Sequence, residues 1–256
     1  KKCAVCRANG REYEESYDKL LIATGATPNE KSDVENVFNL WTFKNMEDVS
    51  TRLANAKSAV IVGAGFIGLE TAENLKAKGL EVTVIQRGDH VLPTIDREMA
   101  APLAGELARL GIHVRYNCTV KNYTARDHGV EVEMDCGDKL FADAVILSTG
   151  VKPNSALAAE CGPRGHIKVD EHLQTSDPDI FAAGDVVERN ECAENAFSAV
   201  PLAGPANKQG RIAADNIAGK KSVYRNSFGT SVVKIGRLTA ASVGLTEKAQ
   251  IGRASC

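Results

Sequence analysis

Gly63, Gly65 and Gly68 follow directly on the apolar run Ser58-Ala-Val-Ile-Val62, and residue types at this spacing can hold a diphosphate. Gly63 permits a tight turn from strand to helix, Gly65 lets backbone approach a pyrophosphate, and Gly68 lets the helix lie close to the sheet. A helix beginning there leaves its first N–H groups unpaired and presents the positive end of its dipole, and both favour phosphate. Three glycines so spaced also occur in ordinary loops, so the flanking pattern has to decide. Here Phe66 to Lys78 has helical periodicity, Gly79 stands where a C-cap is wanted, and Glu81 to Ile85 is a second apolar strand, which completes a βαβ unit. The turn and first helical residues expected at the dinucleotide are Gly63, Ala64, Gly65, Ile67 and Gly68.

A second chemical choice falls at the end of that second strand, where a carboxylate would bind the ribose 2′-hydroxyl of NADH. This chain has Gln86-Arg87. Without an acid, the repulsion that excludes a 2′-phosphate is gone and Arg87 can pair with it, so the expectation leans to NADPH or to use of both. The other reading of Arg87 is a solvated surface charge. A third candidate is Gly184-Asp185 at the end of Ile180-Phe-Ala-Ala, where a carboxylate can accept hydrogen bonds from a sugar or ribityl hydroxyl beside a close-approach glycine. Its alternative is an Asx turn.

The seven cysteines, at 3, 6, 118, 136, 161, 192 and 256, are irregularly spaced, which argues against a secreted disulfide framework. Cys3-x-x-Cys6 has redox or metal spacing but lies in an expected strand beside an Asn9-Gly10 turn, with no second pair, so a half-buried strand position is favoured. The five histidines show no metal spacing, and no metal site is expected. Net charge is −2 with scattered Lys and Arg, so no nucleic-acid stripe is present, and no apolar run is long enough to span a membrane. No signal peptide is evident, which favours the cytoplasm. The 256 residues, 43% of them hydrophobic, suit one or two globular domains.

Positioning these residues requires a particular series of elements. Residues 1 to 17 form a hairpin about Asn9-Gly10, and Tyr17 to Asn29 is a strand ending in a Gly and Pro turn. A connection over 30 to 57 carries a helix near Met46 to Ala56. Beyond the βαβ unit, Arg97 to Leu110 is a helix with Leu103, Leu107 and Leu110 on one face. Ile112 to Asp135 alternates as strands about a turn at 126–129, and Leu140 to Thr149 is one more strand. It ends in Ser148-Thr-Gly-Val-Lys-Pro-Asn154, an echo of Ala23-Thr-Gly-Ala-Thr-Pro-Asn29, and the two read as paired boundaries where small residues and a glycine, Gly25 or Gly150, let backbone face a ligand. A helix begins near Pro205 and runs to Ile217, and Thr230 to Ile235 starts a new strand.

Four of these elements in order, Tyr17-Asp-Lys-Leu-Leu-Ile-Ala-Thr-Gly25, the glycine unit, Leu147-Ser-Thr-Gly150 and Thr175 to Asp185, resemble the FAD-dependent pyridine nucleotide-disulfide oxidoreductases. Val200-Pro-Leu-Ala-Gly-Pro-Ala-Asn-Lys-Gln-Gly-Arg with Gly229-Thr-Ser-Val-Val-Lys is similar to the coenzyme A disulfide reductase, NADH oxidase and NADH peroxidase branch. The resemblance implies an α/β fold: a Rossmann-like NAD(P)-binding domain, 37–155, with a parallel sheet and a β-meander in three layers, inserted in a partial FAD-binding domain, 1–36 and 156–222. Residues 223–256 would begin a C-terminal dimerisation domain. It further implies that Thr24, Gly25, Gly184, Asp185, Pro201, Leu202 and Ala203 belong to the FAD site of the intact enzyme, that Phe66 is an aromatic gate over the flavin, and that Glu70 lies near the nicotinamide.

By the same resemblance, hydride passes from NAD(P)H through flavin to a small-molecule disulfide, a peroxide or oxygen in a homodimer. The family's first glycine motif and redox cysteine have no counterpart here, and the chain opens on Lys1 and stops at Cys256 as a piece of a longer protein would. It is therefore expected to bind NAD(P)H, not to retain FAD, and not to turn over by itself. Two other readings stay open: a ferredoxin- or rubredoxin-type reductase, and a non-catalytic NAD(P)-binding module.

Overall fold

β-Branched residues at Val60–Val62 and Val82–Ile85 suit strands buried on both faces. A computed structural model, which describes residues 2–189 and 199–251, divides the chain into two units: 1–27 with 152–229, and 28–151 with 230–256. These units divide at 27/28, 151/152 and 229/230, whereas the domain boundaries expected from the sequence are 36/37, 155/156 and 222/223.

In chain order, β1 (Lys2–Ala8) and β2 (Arg11–Tyr17) form an antiparallel hairpin whose turn residues Asn9 and Gly10 have φ of 51° and 74°, as a two-residue turn of this hand requires. β3 (Leu20–Ile22) and β4 (Ala26–Pro28) follow, then β5 (Val37–Asn39) and α1 (Phe43–Leu53). This helix begins three residues before the expected Met46. The cause is a capping box, in which the Asn45 N–H donates to Thr42 Oγ1 at 3.2 Å and the Thr42 N–H donates to Asn45 Oδ1 at 3.1 Å.

The central run is β6 (Ser58–Val62), α2 (Phe66–Ala77), β7 (Glu81–Ile85), α3 (Arg97–Arg109) and β8 (Ile112–Arg115). A meander of β9 (Val120–Arg126), β10 (Gly129–Met134) and β11 (Lys139–Ala142) then returns the chain to β12 (Ala144–Leu147). The single strand expected over Leu140 to Thr149 is thus two strands in different sheets. Asp143 makes the break: its Oδ2 accepts the N–H of Lys57 at 2.7 Å and of Ser58 at 2.8 Å, pinning the turn to the start of β6.

The sheet order is β5-β12-β6-β7-β8, all parallel. Alternate residues go to opposite layers. Ala59, Ile61, Val82, Val84, Ala144 and Ile146 pack on α1, α2 and α3, while Val60, Val62, Ile85, Val145 and Leu147 pack on Val130, Val132 and Met134 of the meander. Each fully buried aliphatic side chain contributes about 1.5–3 kcal/mol, so a slip of one residue would be costly in this three-layer unit.

After β13 (Val151–Pro153), β14 (Ile167–Val169), β15 (Ile180–Ala182), β16 (Val187–Arg189) and α4 (Ala203–Ile217) belong to the other unit. There β15 runs parallel to β3 and β14 parallel to β16 around a core of Ile22, Ile167, Val169, Leu173 and Ala213. Finally β17 (Ser231–Ile235), β18 (Leu238–Ser242) and α5 (Glu247–Ile251) join the first sheet's unit. Val233 and Ile235 enter its helical core. The buried Glu106 carboxylate grips the β17–β18 turn, accepting from the Arg237 N–H at 3.0 Å and from Arg109 at 2.7 and 2.8 Å. No helix among the described residues is long and apolar enough to cross a membrane.

Candidate dinucleotide site

β6 and β12 lie side by side in the sheet although β6 leads through α2 and β7 to one edge and β12 arrives from the meander. This is a topological switch point, where a crevice opens beyond the strands' carboxyl ends. Gly63 leaves β6 at φ +105°, its N–H donating to the Ile85 carbonyl at 2.8 Å. A Cβ at Gly63 would run into the Ser148 carbonyl oxygen, and a Cβ at Gly68 would overlap the Gly63 carbonyl oxygen and reach Ile61 Cγ2 at 3.5 Å. Gly65 differs from both. Its backbone is extended, φ −82° and ψ −171°, and a Cβ there would have nothing within 4 Å. Neither conformation nor packing requires glycine at Gly65.

Gly65 is the N-cap of α2, which has no side-chain cap and no acid in its first turn. The first amides therefore have no side-chain cap. Gly65 itself borders a cavity of about 470 Å³ lined in part by Gly63, Ala64, Gly65, Gln86, Arg87 and Gly150. These six expected residues come together. Ser148 and Thr149 join Gly150 on the β12 side, and Ser148 Oγ is buried without a hydrogen-bond partner among the described residues.

Gln86 is buried, and its amide is committed to the glycine turn: Oε1 accepts the Ala64 N–H at 3.1 Å and Nε2 donates to the His90 carbonyl at 3.1 Å. Arg87 is exposed on the cavity wall and makes no salt bridge among the described residues. Of these two neighbours, Gln86 shapes the turn and Arg87 stands on the cavity wall.

Phe66, Ile67, Gly68 and Glu70 do not line this cavity. Phe66 packs on the helical core, Ile67 is exposed, and Gly68 serves helix packing. Glu70 is exposed in the second turn of α2. Sequence reasoning missed Glu30, Pro93, Cys118 and Thr119, which also line the cavity. They arrive from loops whose placement depends on tertiary contacts, such as the Tyr123 hydroxyl donating to Glu30 Oε1 at 2.9 Å. Burial and then the Glu30 carboxylate push the Tyr123 hydroxyl pKa upward.

In the other unit, β3 and β15 run parallel and in register, Ile22 beside Ala182, so that Thr24-Gly25 and Gly184-Asp185 emerge at one edge. Gly184 has φ +88°, and its N–H donates to Gln209 Oε1 of α4 at 2.7 Å. The start of α4, Leu202 and Ala203 after Pro201, carries no side-chain cap. Burial raises the Asp185 carboxyl pKa, with His166 opposing. The two echoing motifs bond reciprocally: within this unit Asn154 Nδ2 and N donate to the carbonyls of Thr24 and Gly25 at 2.9 Å each. Within the sheet unit Asn29 Nδ2 and N donate to Thr149 and Gly150 at 3.1 and 3.0 Å.

Cys3 is exposed and Cys6 half-buried in β1, and three residues apart in a strand they face opposite sides. Cys192 and Cys256 lie outside the described residues. One group of possible metal ligands does converge among the described residues, Cys118, Asp135 and Cys136, although residue spacing alone pointed to no metal site.

Known proteins share this fold. A solved NAD-dependent persulfide reductase from A. fulgidus superposes with a TM-score of 0.94 at 38% identity, covering 99% of this chain and 49% of that one. The NADH oxidase of Methanocaldococcus jannaschii is 35% identical over 93% of this chain and 55% of its own length. A coenzyme A disulfide reductase of Staphylococcus epidermidis is 32% identical over 91% and 54%. The chain thus spans about half the length of these relatives. The family model for pyridine nucleotide-disulphide oxidoreductases matches residues 1–201, and the chain belongs to that family.

Proposed function

We propose that this chain is the nucleotide-binding part of an FAD-dependent NAD(P)H oxidoreductase, with NAD(P)H held in the unit built on the five-stranded parallel sheet. One observation carries the reading: Gly65 has open space where a side chain would be, beside uncapped helix amides, while Gly63 and Gly68 are filled by backbone. That open corner is where a pyrophosphate would approach backbone.

Arg87 supports use of NADPH as well as NADH, since it is a cation on the wall with no salt bridge among the described residues and the neighbouring Gln86 brings no negative charge. Thr24, Gly25, Gly184, Asp185, Pro201, Leu202 and Ala203 would hold part of FAD in the whole protein: Asp185 offers a carboxylate for ribityl hydroxyls, and the uncapped α4 start offers amides for phosphate. When bound, nicotinamide and flavin supply hydride transfer, and this chain's residues bind and orient them. The acceptor would be a small-molecule disulfide such as coenzyme A disulfide, a peroxide or oxygen, in a cytoplasmic homodimer.

Fluorescence titration of the chain with NADH and with NADPH tests the binding reading. Saturable binding of at least one supports it, and failure to bind either defeats it. Flavin retention is tested in the whole protein, where a colourless product would count against FAD.

A further inference from the structure

The ladder between β9 and β10 runs in step from Arg126 opposite Gly129 to Asn122 opposite Glu133, and then shifts so that Val120 faces Met134. Lys121 is the extra residue of a bulge, which bends the strand and re-aims the residues on its far side. Past it the Asp135 N–H donates to the Thr119 carbonyl at 2.9 Å. Cys118 and Cys136 are the next pair out; in an unshifted ladder Cys118 would have faced Gly137. The shift brings Cys118 Sγ, Cys136 Sγ and an Asp135 carboxylate oxygen within 4.8 Å of one another.

We propose that Cys118, Cys136 and Asp135 bind one thiophilic divalent cation of the zinc class. Two thiolates and a carboxylate are ligands that zinc accepts in tetrahedral geometry, and Zn–S bonds of about 2.3 Å place two sulfurs roughly 3.8 Å apart, inside the observed limit. Water or an added ligand takes the fourth position. The carboxylate is already oriented, because Asp135 Oδ1 accepts the Thr119 N–H at 3.1 Å and Oδ2 accepts the Thr119 hydroxyl at 2.6 Å; such outer partners fix a ligand's direction. Backbone on both sides is anchored, with the Cys118 N–H on the Gln86 carbonyl at 3.2 Å and the Gly137 N–H on the Met134 carbonyl at 3.0 Å. A divalent cation that displaces two thiol protons leaves the cluster's net charge unchanged, so binding adds no charge to the neighbouring cavity wall.

The test is titration of the whole chain, under a non-thiol reductant, with cobalt(II) followed by absorbance and with zinc against a chromophoric chelator. The expected result is one metal per chain, with tetrahedral cobalt bands and thiolate-to-metal charge transfer. Cys136→Ser and Cys118→Ser should each weaken zinc binding at least 100-fold, and Asp135→Asn about 10-fold. Cys136 is exposed, so its serine variant should keep the native melting profile. A Cys3→Ser/Cys6→Ser variant should bind as before. Absence of the cobalt spectrum, or zinc affinity retained in Cys136→Ser, overturns the proposal; loss of binding in the Cys3→Ser/Cys6→Ser variant does so too.

Discussion

Gly65→Ala separates ligand approach from fold maintenance. Alanine adopts φ −82°, ψ −171° without strain, and its Cβ would have no atom within 4 Å. Lower entropy of the unfolded chain favours the variant by about 0.4–1 kcal/mol, and alanine's poor N-capping opposes this by a similar amount, so stability should change by less than about 1 kcal/mol. For a protein of this size that is a melting shift under about 4 °C. The methyl group, however, stands where a pyrophosphate must touch backbone. Losing one charge-assisted hydrogen bond costs about 1.5–3 kcal/mol, or roughly 10- to 100-fold in Kd. Gly68→Ala is the counter-case: its methyl overlaps the Gly63 carbonyl, overpacking against backbone that costs about 1–3 kcal/mol or more and lowers the melting temperature whatever the ligand. Thermal melts alongside NADH and NADPH titrations read both. Should Gly65→Ala bind as tightly as the parent, or melt as low as Gly68→Ala, the assignment of that open corner to a diphosphate is wrong.

Arg87→Ala should weaken NADPH up to about 5-fold relative to NADH, an exposed ion pair being worth at most about 1 kcal/mol; equal loss for both nucleotides would remove Arg87 from the 2′-phosphate. Gln86→Leu should destabilise the sheet unit by about 1–3 kcal/mol per orphaned group, since the Ala64 N–H and His90 carbonyl lose their partner; an unchanged melting temperature would refute that role. Glu106 is held down to about 2 by Arg109, then by the Arg237 N–H, against burial, from a usual 4.5. A depressed carboxyl stabilises above its unfolded value and loses that contribution as pH falls, so stability should drop between about pH 4.5 and 2. Glu106→Gln should melt lower at neutral pH and show a flatter decline over that window; parallel curves for the two proteins would contradict the ion pair.

Much of the sheet unit could be read from local pattern. Ser58–Val62, the glycines and Glu81–Ile85 are contiguous, and each residue's conformational demand points the same way. Helix α3 appeared within one residue of its expected end because Gly111 stops it. Other features depended on partners in other elements: the break at Asp143 is set by Lys57 and Ser58, and the bulge at Lys121 by the register of β9 on β10. The start of α1 is local but atypical, set by an Asn45 that stands in for the usual Glu or Gln of a capping box. The site was legible in its turn and less so in its walls. Glu30, Pro93 and Thr119 carry no local signature of ligand contact, and nothing local to Gln86 announced that its amide ties down the glycine turn.

Each of the two units is assembled from segments that lie far apart along the chain, residues 230–256 joining 28–151 and residues 152–229 joining 1–27. On the ribosome, where synthesis proceeds at about 5–20 residues per second, the parallel sheet would exist before β17 arrives to cover Leu69 and Leu107. For several seconds, then, a nascent chain would carry an uncovered apolar surface on its sheet unit. Chaperone demand from this unit would accordingly be a matter of timing, greatest just before the β17–β18 hairpin clears the exit tunnel.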